Sequence, residues 1–440
     1  MVTQEQNAIL TRTGPETPMG NLMRRYWLPA LLSSELLEPD SPPVRVKLLG
    51  EDLVAFRDTQ GRIGLLDEYC AHRCVSLFLG RTEEGGLRCV FHGWKYDVTG
   101  QLVEAPNEPG NPGLVGRVKV RSYPVVEQGG VIWAYMGDSV HTPPAPNFAW
   151  TRVEASRRHV TKTWQECNWL QAMEGGLDTS HAPILHGLLD PTSKRPGIAP
   201  SSAFAQGKPP TLEIDHTDYG YQYAGIRELP EGRSMVRAYH WVMPFTQIRP
   251  QHQLPTTGGE GHGSGCIAGH MWVPMDDENC MVYNWIYKHD ERDGPMTNEQ
   301  RDAEDVIVGT APGELLPNFR KVRNRDNDWL IDRQVQKYET FTGIQGVNTQ
   351  DHALQESMGP IVDRTRENLG PADKAIITAR RLLLRVVRDL EQVGYEPPGV
   401  AASYYNLQAI ERILPAASDW RAELRDELHS TVSAPGVSEL

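Results

Sequence analysis

From Val44 to about Gly137 the chain runs in short apolar stretches, VRVKLLG, LVAFRD, IGLLDEY, GLRCVFHGWKYDV, GRVKVRSYPVVEQ and GVIWAYMG, separated by Gly, Asp and Asn turns. β-Branched and aromatic runs at this spacing predict an all-β domain over residues 41–147. Residues 1–40 instead show helical patches, Asn21 to Trp27 and Leu31 to Leu37, broken by Pro15, Pro18, Pro29 and Pro39. They read as a lead-in that packs on the C-terminal domain. A proline-rich link, His141–Asn147, marks the boundary. Beyond it ASRRHVTKTWQ reads as a strand and NWLQAMEGGLDTSHAPIL as a helix. TLEIDHTDYGYQYAGIREL, SMVRAYHWVMPFTQI, GCIAGHMWVPMD and CMVYNWIYKHD then read as strands. Asn298–Val308 and Trp329–Tyr338 carry helical patterns. Lys374–Val393 is the clearest amphipathic helix, apolar at three- and four-residue steps. Residues 148–440 therefore predict an antiparallel sheet with helices, and the whole chain an α+β protein.

Composition narrows the partners. With 440 residues there is ample length for two cores. A net charge of −13 without a basic run argues against nucleic acid and against an anionic membrane surface. The N-terminus lacks a secretory pattern, and no apolar run reaches membrane-spanning length. Six cysteines are too few for a disulfide scaffold in so long a chain. The expectation is a cytoplasmic, reduced protein.

The chemistry begins at Cys70-x-His72 and Cys89-x-x-His92, two Cys/His pairs on separate loops. Two thiolates and two imidazoles suit tetrahedral zinc or an iron–sulfur cluster with mixed ligands. Zinc knuckles usually pair Cys with Cys. One Cys and one His from each loop is the arrangement a [2Fe–2S] centre needs when both imidazoles sit on one iron. Cys74 is a spare thiol, expected as a small buried packing residue. A second group, Asn168-Trp169, Glu174, Asp178, His181 and His186, lies on the helix after the link. Asp178 and His181 share a helix face. His186 is about 140° away, and Pro183 between them is expected to deform the helix so that both imidazoles converge. Taken alone, a histidine pair beside a proline is often only structural.

Cys70-x-His72-Arg73 with Cys89-x-x-His92-Gly93-Trp94 resembles the Rieske cluster motif of ring-hydroxylating oxygenases. Phe91 stands where respiratory Rieske proteins carry a disulfide cysteine. The same family carries NW-x4-E-x3-D-x2-H-x4-H after its Rieske domain, and this chain matches it residue for residue. The resemblance implies a [2Fe–2S] cluster on Cys70, His72, Cys89 and His92, and a mononuclear non-haem iron on His181 and His186 in a catalytic domain. It implies that Asp178 links His181 to a cluster histidine of a neighbouring subunit. The third iron ligand in the family is an Asp with a Glu five residues later, which Asp351 and Glu356 match. Asp363 is the competitor, with pairing to Arg364 or Arg366 as its blander role.

GNLMRRYWLPA, CAHRCVSLFLGR and QDHALQESMGPIVDRTRENLG resemble the phthalate 4,5-dioxygenase branch. The function implied is that of an oxygenase component using O2 and electrons from a separate NAD(P)H-dependent reductase. Its expected reaction is cis-dihydroxylation of a phthalate-like aromatic carboxylate. O-demethylation of a methoxylated aromatic acid is the alternative, and a Rieske electron carrier without oxygenase activity is the reading from another class. No G-x-G-x-x-G follows a strand here, in keeping with a separate reductase. The inter-subunit bridge implies a homo-oligomer, a trimer or stacked trimers. Arg227 and Arg237 are candidates to grip the carboxylate, because a guanidinium fork matches its two oxygens; surface pairing with Glu228 or Glu231 is the plainer alternative. Trp241, Met243, Phe245, Trp285 and Tyr287 are expected in a pocket wall or in the core.

Overall fold

A computed structural model describes residues 2–251, 266–401 and 406–429. The chain divides into two compact units: Arg12–Pro146 with Pro274–Asp276, and Met1–Thr11 with Asn147–Val273 and Asp277–Leu440.

The smaller unit is built of three antiparallel sheets. One joins Val44–Leu48, Glu51–Arg57 and Ile63–Asp67, and a second joins Arg81–Glu83, Gly86–Arg88, Lys95–Tyr96 and Leu102–Glu104. In the third, Trp27–Leu32 pairs with Val131–Tyr135, which pairs with Val125–Gln128. This corrects the reading of residues 1–40 as a lead-in on the C-terminal domain. Only Met1–Thr11 belongs to the larger unit, and Trp27–Leu32 is an edge strand of the smaller one. Pro29 is tolerated because the strand lies at an edge and its register shifts between Pro29 and Leu31. The unit's core gathers Val54, Phe56, Leu66, Leu77, Leu87, Trp94, Tyr96 and Leu102 around Cys70 and Cys89.

The larger unit is organised on an eight-stranded antiparallel sheet. Its order is Arg158–Gln165, Cys280–Lys288, Cys266–Pro274, Thr246–Pro250, Arg233–Val242, Gly220–Leu229 and Thr211–His216, with Ile410–Pro415 also pairing with Arg233–Val242. Trp241 and Trp285 are buried in it, so strand burial outweighs pocket lining for both. The helix Trp169–Leu177 is capped by Asn168, whose Oδ1 accepts from the Leu170 N–H while its Nδ2 donates to the Thr11 and Asp277 carbonyls. Gly175 and Gly176 let this helix approach its neighbours. A Cβ on Gly175 would lie 1.8 Å from the Gln355 amide, and one on Gly176 2.2 Å from the Trp272 ring. Glu174 fixes the helix from the other side. It accepts a bidentate pair from Arg364 at 3.2 and 2.9 Å and a further bond from Arg380 at 2.6 Å. Among the described residues no helix is long and apolar enough to cross a membrane.

Candidate metal centres

In the smaller unit, the two Cys/His loops are closed in the same way. The Cys70 N–H donates to the Val75 carbonyl and the Cys89 N–H to the Trp94 carbonyl, at 2.9 and 2.8 Å. The Cys70 carbonyl then accepts from Cys74 N–H, and the Cys89 carbonyl from Gly93 N–H. Cys74 and Gly93 therefore hold equivalent turn positions, both with positive φ, +54° and +80°. Cys74 is exposed, which corrects its expected role as buried packing.

Cys70 and Cys89 are buried, and the His72 and His92 rings meet edge to face with centroids 4.5 Å apart. The Nδ1 atoms of both histidines are buried and without a hydrogen-bond partner. A buried ring nitrogen left unpaired costs free energy unless something accepts its lone pair. Two such nitrogens beside two buried thiols fit a metal cluster. The fit to a single zinc is poorer. Among the described residues only His181, His186 and Asp351 bring three donor atoms within 4.8 Å of one another, whereas the donors of a zinc tetrahedron lie about 4 Å apart or less. Burial pushes the Cys70 thiol above its ordinary pKa, opposed by the Tyr96 hydroxyl 3.2 Å from Cys70 Sγ. Tyr96 also accepts from the Ala71 N–H. Sequence reasoning missed it; it lies in the two-residue strand Lys95–Tyr96 that follows the second Cys/His loop.

In the larger unit, the helix Trp169–Leu177 stops before Asp178, which is extended at φ −70°, ψ 121°. A new turn of helix, Ala182–Leu185, begins after His181 and ends at His186. The break thus lies between Asp178 and His181 and not at Pro183. Proline sits in the first turn of the second helix, where its missing N–H has no bond to lose. The two imidazoles flank this turn, and Asp351 reaches them from the helix Val347–Ser357. Its Oδ1 is 3.3 Å from His181 Nε2 and 3.4 Å from His186 Nε2. Two imidazoles and one carboxylate on one face suit a divalent metal with open positions opposite.

The electrostatics point the same way. Asp351 is held far below the ordinary carboxylate range: burial opposes this, but His186 and His181 outweigh it. Burial lowers the His181 pKa, yet Asp178 and Asp351 more than offset it and push it up to about 10. The site demands positive charge, which a proton or a metal cation can supply. Asp178 Oδ2 lies 3.4 Å from His181 Nδ1, and its Oδ1 accepts from the Ser180 N–H and hydroxyl at 2.6 Å each. The competitor Asp363 is not at this site. It is exposed, caps the turn Arg364–Arg366 and accepts from Thr365, while Arg364 is committed to Glu174.

The two arginines separate. Arg237 donates to Glu411, to the Tyr239 hydroxyl and to the Pro250 carbonyl, so its guanidinium is engaged in a buried ion pair. Arg227 is 1 % exposed and stacks 4.0 Å over the Phe204 ring. It donates from Nη2 to the Thr179 carbonyl, between Asp178 and His181, while its Nη1 is buried without a partner. Burial pulls its pKa down to about 10. Glu228 and Glu231 pair instead with Lys208 and Arg233.

Residues 26–124 match the Rieske [2Fe-2S] domain family, and residues 134–435 match the LigXa C-terminal domain like family. The 3-chlorobenzoate-3,4-dioxygenase oxygenase subunit of Comamonas testosteroni is 36% identical, covering 98% of this chain and 100% of that protein. The phthalate 4,5-dioxygenase oxygenase subunit of Pseudomonas putida is also 36% identical, over 96% of this chain and 94% of its own. A 5,5'-dehydrodivanillate O-demethylase oxygenase subunit from Sphingobium is 33% identical over 91% and 84%. Dicamba monooxygenase bound to dicamba shares the fold, with a TM-score of 0.56 at 20% identity over 84% of this chain and 98% of that one. Cluster loops, catalytic sheet and full-length relatives agree that this chain belongs to the Rieske non-haem iron oxygenases. Within them it is an oxygenase component of the phthalate 4,5-dioxygenase branch.

Proposed function

We propose that this subunit oxygenates an aromatic carboxylate, with cis-dihydroxylation of the ring as the outcome and a separate NAD(P)H-dependent reductase as electron source. The observation that carries the substrate class is Arg227, a buried guanidinium with Nη1 unpartnered. Burial outweighs the nearby Glu411 and Asp178 carboxylates at this guanidinium, and a buried donor left without a partner costs about 1–3 kcal/mol. A bound carboxylate would remove that penalty and accept two parallel N–H bonds.

Cys70, His72, Cys89 and His92 would hold the [2Fe–2S] cluster, and His181, His186 and Asp351 the mononuclear ferrous ion. When bound, these groups supply single electrons and a site at which O2 is activated. The chain's own residues do the rest. Asp178, fixed by both Ser180 donors and 3.4 Å from His181 Nδ1, would accept that ring's N–H and so orient its Nε2 toward Asp351. A second acceptor site on that carboxylate suits a cluster histidine of a neighbouring subunit, so a trimer or stacked trimers is the assembly proposed. Arg227 would position the carboxylate beside the His181 segment.

O-demethylation of a methoxylated aromatic acid is the second reading. It is favoured by the O-demethylase relative, 33% identical to this chain. Both outcomes use the same residues and differ in which substrate carbon faces the iron.

The experiment is turnover by the purified protein with a reductase on phthalate isomers, phenoxybenzoates, methoxylated benzoates and their uncharged amides. Carboxylates are expected to give dihydrodiols, or a phenol with formaldehyde. Arg227→Gln is expected to raise their KM about tenfold or more. Amides turned over as well as acids by the wild type would overturn the reading.

A further inference from the structure

The two imidazoles at the mononuclear site are oriented by different partners. His181 Nδ1 faces a carboxylate, Asp178. His186 Nδ1 faces a neutral amide, with Gln350 Oε1 at 2.7 Å. The orientation of that amide follows from its other end. Gln350 lies 2.9 Å from the Ile344 carbonyl, which can only accept, so the atom there is Nε2 and the atom facing His186 is Oε1. A carbonyl oxygen accepts, so His186 carries its proton on Nδ1. Its Nε2, 3.4 Å from Asp351 Oδ1, is then the nitrogen left with the lone pair.

We infer that Gln350 is a positioning residue: it sets the tautomer and ring angle of His186 so that Nε2 is the donor atom. The inference rests on the proposed iron site of His181, His186 and Asp351. Gln350 and Asp351 are adjacent on the helix Val347–Ser357, so one helix supplies both the carboxylate and the residue that aims an imidazole at it. The amide is buried and doubly bonded, leaving it little freedom to turn. Because Gln350 is neutral while Asp178 is charged, His186 is the weaker electron donor of the pair, and the two imidazoles are inequivalent.

Ligand-orienting partners are typically worth tenfold to a hundredfold in metal affinity. The test measures Fe(II) affinity by chelator competition, together with the EPR rhombicity of the nitrosyl adduct, on protein with its cluster intact. Gln350→Met keeps the length and loses the acceptor; it is expected to weaken Fe(II) binding about tenfold or more and to alter the rhombicity, at unchanged cluster content. Gln350→Glu keeps an acceptor toward His186 and adds charge but loses the donor to the Ile344 carbonyl, so it is expected to bind Fe(II) more tightly than Gln350→Met, with a shifted nitrosyl signal. Wild-type affinity and an unchanged spectrum for Gln350→Met would overturn the inference alone. Should that variant not fold, Gln350→Glu decides, and an unchanged spectrum there overturns it. Wild-type protein that takes up no iron beyond the cluster would instead overturn the iron site itself.

Discussion

The Tyr96 hydroxyl sits 3.2 Å from Cys70 Sγ and anchors the same loop through the Ala71 N–H at 3.1 Å. Burial keeps that phenol protonated far above its ordinary pKa, so its proton is available to the sulfur. A hydrogen bond to a cluster sulfur favours the more negative, reduced state. Tyr96→Phe is expected to lower the cluster potential by roughly 50 mV, about 1 kcal/mol of differential bonding in a one-electron couple. Potentiometric titration followed by EPR checks it, and an unchanged or raised potential refutes it.

Asp178 offers a carboxylate held below its ordinary pKa; burial opposes this, but His181 and the Ser180 donors prevail. Asp178→Asn keeps the shape and removes the charge. The variant is expected to retain a chemically reducible cluster while losing product formation by about a hundredfold or more. Stopped-flow reoxidation of the reduced cluster with substrate and O2 is the measurement. Re-oxidation at the wild-type rate would remove Asp178 from the electron path.

Glu174 is the single acid between two buried guanidiniums, with Arg364 0 % exposed. Their charge holds it ionised despite full burial. Glu174→Ala leaves Arg364 without a carboxylate and is expected to destabilise the catalytic unit by about 3–5 kcal/mol. Urea unfolding followed by tryptophan fluorescence tests this, and a loss under 1 kcal/mol would mean that Arg364 finds another partner.

His240 carries a pH-dependent part of the stability. It accepts from the Tyr219 hydroxyl and donates to the Gln408 carbonyl, and burial, aided by nearby His429, lowers its pKa to about 3. The unfolded imidazole titrates near 6.5, so between these values the unfolded state binds the extra proton. The contribution is therefore full above pH 6.5 and is lost as pH falls toward 3. From pH 6 to 5 the decline should be roughly 1 kcal/mol per unit from this group, and His240→Gln should flatten it. Equal slopes in variant and wild type would assign the acid sensitivity elsewhere.

The Cys/His pairs at Cys70, His72, Cys89 and His92 are legible from spacing and ligand chemistry. His181, His186 and Asp351 are legible only through the family resemblance, because the histidine spacing alone is weak and the carboxylate lies far along the chain. The elements that present them are less so. Trp27–Leu32 reads as helical by pattern, and only the partner Val131–Tyr135, a hundred positions away, makes it a strand. Just before the break at Asp178, Gly175 and Gly176 lie close against Gln355 and Trp272, contacts that no local pattern contains. Glu411 is far from Arg237 in sequence, so the ion pair that satisfies this arginine was invisible, as was the missing partner of Arg227. Cys74 misled because exposure is set by the loop, where its turn position matches that of a glycine.

The break before Asp178 also has an electrostatic meaning. A helix ends with a partial negative charge of about half an electron on its last carbonyls. Here the nine-residue helix Trp169–Leu177 ends immediately before the segment that carries Asp178 and His181. Its dipole adds to the two carboxylates and deepens a negative field that attracts metal cations and repels organic acids. An acidic substrate would enter against that field, and Arg227, bonded to Thr179 within the same segment, is the buried positive counterweight.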